Sequence, residues 1–181
     1  MQQRIFFVLI IVIICTQHSN AQNGLFLRLS VGPGIMNEYS ANIGTGLTLV
    51  TKNHAIGWGF NDSYALYVNE FGGLIKKGVD EYNYINLDAY GLGFSYGTPA
   101  NIIFSLSGGY GMVSFAHKWS EPEGDLRGEG YAVRLGLEKK WIVSKRWNLG
   151  LGPQIIFLKT TNDNYEFINV SLNFFLEFHL T

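Results

Sequence analysis

The sequence predicts an all-β protein: an eight-stranded, antiparallel, up-and-down transmembrane β-barrel behind a cleaved signal peptide. Three observations predict it. Hydrophobicity repeats with a period of two over most of the chain, short and longer connections alternate along it, and the two faces of each strand differ sharply in size. One face carries large apolar side chains, and the other carries glycine, serine and other small or polar ones.

The first segment, Met1 to Ala21, has the three parts of an export signal: Arg4, an apolar run from Ile5 to Cys15, and small residues at Ser19-Asn20-Ala21. That apolar run falls well short of the roughly 20 residues a spanning helix needs. Residues 1–21 are therefore expected to be removed, leaving 22–181 as one barrel domain. Cys15 is the only cysteine and follows Ile14, where a lipidated signal would have a small residue. The remaining chain is expected to hold no disulfide, so packing and backbone hydrogen bonds must carry its stability.

Alternation then marks eight strands in turn. Leu25 to Val31 comes first, followed by Ile43 to Leu49, Ile56 to Val68, Tyr90 to Tyr96 and Ile102 to Met112. Tyr131 to Leu137 and Trp147 to Phe157 follow. The last is the most regular: Ile168, Val170, Leu172, Phe174, Leu176, Phe178 and Leu180 share one face. A phase slip between Leu87 and Tyr90 is read as a bulge. Thr51–His54, Gly97–Asn101 and Ile142–Arg146 read as tight turns. Met36–Ser40, Asn69–Asn83, Ala116–Gly128 and Lys159–Tyr165 read as the longer connections at the opposite end.

Which face points outward follows from size. An eight-stranded barrel is only wide enough inside for side chains. The small set (Gly44, Gly46, Gly57, Gly59, Gly91, Gly93, Ser105, Ser107, Gly109, Gly111, Gly150, Gly152) is expected to fill it. The bulky set then forms an outer apolar belt, flanked by interfacial aromatics at Trp58, Tyr96, Tyr131, Trp141 and Trp147. A soluble, exported lipocalin-like binder, with its apolar face inside, is the alternative architecture.

Composition narrows the function. The net charge is −1 and charged residues make up 15%, with no basic stripe, which excludes an electrostatic case for nucleic acid. No phosphate loop, dinucleotide fingerprint or metalloprotease motif occurs, so no cofactor and no metal are expected. Glu121-Pro-Glu-Gly-Asp125 reads as a solvated loop tip rather than a calcium loop.

The closing stretch Asn169–Thr181, the segment Gly108-Gly-Tyr-Gly-Met112 and the run Trp141–Gly152 resemble small outer-membrane β-barrel proteins of the OmpA/OmpX-like type. The chain departs from that pattern in ending on Thr181 rather than an aromatic residue. The resemblance implies a bacterial outer-membrane location, contact with outer-membrane lipid, and hand-over to the outer-membrane assembly machinery during biogenesis.

Four inward charges, Arg28, Arg134, Glu138 and Glu177, are the candidate interior polar network. Arg28 and Glu177 lie near one rim and are expected to face each other across the closing seam. The function expected is structural or surface-facing, with a narrow or plugged interior and no catalytic residues. An extracellular partner would meet the longer connections, which carry Glu70, Lys76, Lys77, Asp80, Glu81 and Tyr82 in one and Glu121 to Glu129 in the other. The alternative function is a lipid A deacylase or acyltransferase of barrel type, for which Ser114, His117 and Ser120 are the nearest grouping and a glycine-lined interior the acyl path.

Overall fold

Each segment pairs with the one before it, so the barrel is built by sequence-local hairpins and closed by one long-range seam. The structure is a computed structural model and describes residues 24–39, 44–61, 63–79, 82–118, 125–162 and 164–180. Among the described residues the strands are β1 (Gly24–Glu38), β2 (Gly44–Gly59), β3 (Tyr64–Val79), β4 (Tyr82–Gly97), β5 (Ile102–Ala116), β6 (Asp125–Ile142), β7 (Trp147–Thr160) and β8 (Glu166–Leu180). All pairings are antiparallel. The seam runs from Leu25 opposite Leu180 to Glu38 opposite Phe167, so the sheet has no free edge. Closure satisfies every strand's backbone groups internally, as a bilayer interior demands. The predicted signal, residues 1–21, lies outside the described residues.

One end of the barrel holds three tight turns and both ends of the described chain. Asn61 accepts backbone N–H groups from Ser63 and Tyr64 at 2.8 and 2.9 Å, an Asx-type turn between β2 and β3. Asn101 takes a left-handed φ of 58° to close the turn between β4 and β5. Ser144 Oγ accepts from the Arg146 and Trp147 amides between β6 and β7.

Three features of the sequence reading are corrected. Thr51–His54 is no turn but the middle of β2, and the chain turns between Gly59 and Tyr64. The expected connection Asn69–Asn83 is almost entirely strand, since β3 runs to Val79 and β4 starts at Tyr82. The strands likewise consume Met36–Glu38, Asp125–Gly128 and Lys159–Thr160. The bulge is absent at Leu87–Tyr90, where inward and outward positions alternate without a slip. It lies instead at Leu49–Val50, where two consecutive residues face outward and the register shifts against both β1 and β3.

The bulky residues of β8 point out: Val170, Leu172, Phe174 and Leu180 are exposed, Leu172 by 50%. Their neighbours Asn169, Ser171, Asn173, Phe175, Glu177 and His179 are buried in the barrel. Trp58, Tyr96 and Trp147 are outward near the turn end, and Trp141 is half-buried there. Tyr131 belongs to a second outward band farther along, in register with Tyr110 and, through it, with Tyr90. Leu172→Arg puts a charge on this outer face and is expected to lower stability in lipid by about 2–4 kcal/mol. Urea unfolding in vesicles measures it, and a neutral result would mean that Leu172 does not meet hydrocarbon.

The interior is less uniform than the sequence suggests. Toward the turn end it is polar. Toward the other end it is a packed apolar cluster containing Met36, Phe71, Ile75, Leu87, Phe115, Leu158 and Phe167, all buried. The expectation of a lumen filled by small residues therefore fails over the half remote from the turns. Even where glycines do face inward, large neighbours occupy the space they leave. A Cβ at Gly93 would overlap the Tyr67 ring, and one at Gly150 the Phe175 ring.

Candidate functional site

The polar half of the lumen is organised around two arginines and two glutamates, each delivered by the inward phase of its strand. Arg28 of β1 and Glu177 of β8 are direct register partners across the closing seam. The Arg28 guanidinium donates through Nε (2.8 Å) and Nη2 (2.5 Å) to Glu177 Oε2, and through Nη1 (2.9 Å) to Glu138 Oε2 across the bore. Glu138 Oε1 in turn accepts from Arg134 Nη2 at 3.0 Å. The order Glu177, Arg28, Glu138, Arg134 is an alternating chain of charge with no net charge of its own. All four are buried, Arg134 completely.

The remaining donors and acceptors are met by neutral neighbours. Arg134 also donates to Gln154 Oε1 (2.8 Å) and Ser105 Oγ (3.1 Å). The amide of Asn148 donates to Glu177 Oε1 at 2.8 Å, and His179 Nε2 lies 2.9 Å from the same oxygen. The Arg28 guanidinium carbon sits 4.4 Å from the centre of the Phe175 ring, a stacked cation on an aromatic face. A second group, Asn53, Asn69, Ser107 and Tyr67, continues the polar filling on β2, β3 and β5. Buried charges persist only when paired and fully hydrogen-bonded, and the four ionised groups meet that condition, whereas Gln154 Nε2, His179 Nδ1 and Asn69 Oδ1 have no partner among the described residues. Chemically it is a brace: it crosses the lumen, ties β1, β6, β7 and β8 together, and leaves each charge engaged.

All four candidate network residues thus fall into one connected array. Sequence reasoning missed Asn148, Gln154, Ser105 and His179 as its members, although each sits at an inward period-two position. At the turn end lies a cavity of about 50 Å³, bordered by Phe26, Arg28, Lys140, Glu177 and His179.

Other singled-out residues lie elsewhere. Ser114 is on the outward phase of β5, His117 is exposed beyond the strand, and Ser120 is outside the described residues. His54 is on the outer face of β2 rather than in a turn. Glu70 is not in a connection but on the outer face of β3, paired with Lys52, which also reaches Asp88 Oδ1 at 2.8 Å. Lys76 and Lys77 lie in β3 and Tyr82 begins β4, while Asp80, Glu81 and residues 119–124 are outside the described residues.

No protein-family model matches the chain, and no curated protein matches it in sequence. Solved structures do match in fold. Neisserial surface protein A superposes with a TM-score of 0.62 at 12% identity, over 89% of this chain and 99% of that one. Ail, the attachment invasion locus protein of Yersinia pestis, superposes with a TM-score of 0.55 at 12% identity, over 86% of this chain and 99% of that one. These are small eight-stranded outer-membrane barrels, and the fold of this chain is theirs.

Proposed function

We propose that the protein is an integral barrel of the bacterial outer membrane, exported by residues 1–21, that does not conduct and instead presents a rigid surface to the medium. One observation carries this reading: the wall is apolar outside while the lumen is closed twice, by the charged brace toward the turn end and by the apolar cluster toward the other. Hydrocarbon suits the outer face, and no continuous water path suits the inner one. By the usual arrangement of such barrels, the tight turns face the periplasm and the longer connections face outward. The surface role takes support from the names of the two proteins that share the fold, one a surface protein and the other an attachment protein. Lipid contacts the belt throughout, the assembly machinery acts during biogenesis, and an extracellular partner would meet the outer rim, where Tyr39, Leu47 and Leu126 are exposed.

The test combines location with permeability. Outer-membrane fractions should retain the protein through carbonate and high-salt washes, and its gel band should shift on boiling. Reconstituted in planar bilayers, it should give no steady current above that of lipid alone. Release without detergent would favour a soluble binder, stable single-channel steps would overturn the closed lumen, and a mass change in lipid A on overproduction would favour the lipid-modifying alternative.

A further inference from the structure

The ladder between β6 and β7 is interrupted. It runs from Gly130 opposite Thr160 to Gly136 opposite Gln154, skips two positions on each strand, and resumes at Lys139 opposite Leu151. Pro153 stands in the gap and has no N–H to offer a neighbour. Here the outer surface dips into an apolar groove of about 550 Å³. Phe94, Tyr96 and Phe104 wall one side, Pro153 and Ile155 the other, and Leu137 lies between them. That volume is in the range of small-molecule sites and takes about one acyl chain.

The height of the groove follows from the shear of the barrel. A row of register partners that leaves β1 at Leu25 and is followed once round the wall returns to β1 at Ile35, ten positions farther from the turns. Rows therefore climb by just over one residue per strand. The row of Tyr96 passes Phe104 to reach Leu137. With the climb over those two strands taken out, Tyr96 is level with Lys139, in the turn-end aromatic girdle. Ile155 is about six positions higher by the same reckoning. On strands tilted by about 40° the groove is then roughly 14 Å tall, or about one leaflet of an apolar band roughly 25 Å high.

Beneath the groove the rim is basic. β6 runs on from Leu137 through Lys139 and Trp141 into the turn that holds Lys145 and Arg146. Lys145 and Arg146 are exposed, and none of the three cations forms an ion pair among the described residues. Lys139 Nζ donates to the Ala100 carbonyl at 2.5 Å and keeps two more N–H groups. Glu138 and Glu177 are engaged in the brace inside. Asp62, the acid of another tight turn, belongs to the β2–β3 connection across the barrel and lies outside the described residues. Cations at this level attract anionic headgroups.

We propose that this column binds one phospholipid with an anionic headgroup, taken from the leaflet on the turn side. This rests on the membrane reading above. One acyl chain lies in the groove against Pro153 and covers the gap in the ladder, while the phosphate meets Lys139, Lys145 and Arg146. Either half alone is ordinary, since acyl chains touch the belt everywhere and cations are common at its margin. Stacked one above the other, they select a lipid by its head and hold it by its tail.

Native mass spectrometry of the folded barrel tests it, after reconstitution in vesicles of equimolar phosphatidylglycerol and phosphatidylcholine and extraction in mild detergent. The barrel should retain one phosphatidylglycerol, about tenfold more often than phosphatidylcholine. Lys139→Gln, Lys145→Gln and Arg146→Gln together should abolish that preference. Leu137→Trp fills the groove and should lower retention by about tenfold. Ile56→Trp, on the outer face of β2 across the barrel, should leave retention unchanged. Equal retention of the two lipids, a preference that survives the triple variant, or equal retention in the two tryptophan variants would each overturn the site. The boiling-induced gel shift and resistance to carbonate report fold and membrane residence separately, so such a result would leave the membrane reading standing.

Discussion

Arg28→Met is expected to lower the free energy of unfolding by about 3–5 kcal/mol, because it strands a buried carboxylate. Glu138 would still hold Arg134, but Glu177 would keep only Asn148 and His179 and no cation. The companion variant decides the cause. With Arg28→Met and Glu177→Gln together the lumen is neutral again, and the glutamine oxygen can still accept from Asn148. The double variant should therefore be more stable than Arg28→Met alone. Urea titration in lipid vesicles supplies both numbers, and a double variant worse than the single would show that shape, not charge balance, governs the brace.

The second large effect belongs to the opposite half of the lumen. Phe71 is fully buried in the apolar cluster with Met36, Ile75 and Leu87. Phe71→Ala should cost about 3–5 kcal/mol, the sum of lost transfer energy and a cavity that a closed wall cannot collapse to fill. The same titration reads it, and a loss under about 1 kcal/mol would mean the cluster is not packed to interior density. Conductance should stay at background in this variant, since the charged brace still crosses the bore.

Much of the wall was legible in the sequence, and the failures have physical causes. β8 is unambiguous because its alternation from Ile168 to Leu180 meets no bulge and no glycine. β2 was misread because the bulge at Leu49–Val50 inverts its phase in mid-strand, which makes Thr51–His54 look like a break. The true turn, between Gly59 and Tyr64, was hidden because Trp58, Phe60, Tyr64 and Leu66 keep the same spacing across it. Arg28, Arg134, Glu138 and Glu177 stand out in the sequence because an ionised side chain at an inward position has few other solutions than a partner across the bore. The neutral members of their network carry no such demand and left no signal. The apolar half of the lumen was invisible for a different reason. Where Ile156, Phe157 and Leu158 run consecutively, inner and outer residues are alike and period two disappears. The outer ion pairs of Lys52 with Glu70 and Asp88 were lost with the loop assignment, since Glu70 counted as part of a longer connection and Lys52 as turn polarity.

The strands run 14 to 18 residues, whereas a tilted strand needs only about 9–11 to cross a bilayer. In the proposed orientation the surplus stands above the membrane as wall, so the features a binding molecule would meet are side by side on adjacent strands and remote in sequence. Asn37 neighbours Ile168, and the Tyr39 amide donates to the Glu166 carbonyl, across the closing seam. Antibodies raised against the native protein should accordingly lose their epitope on boiling, and those raised against linear peptides from it should leave intact cells unstained.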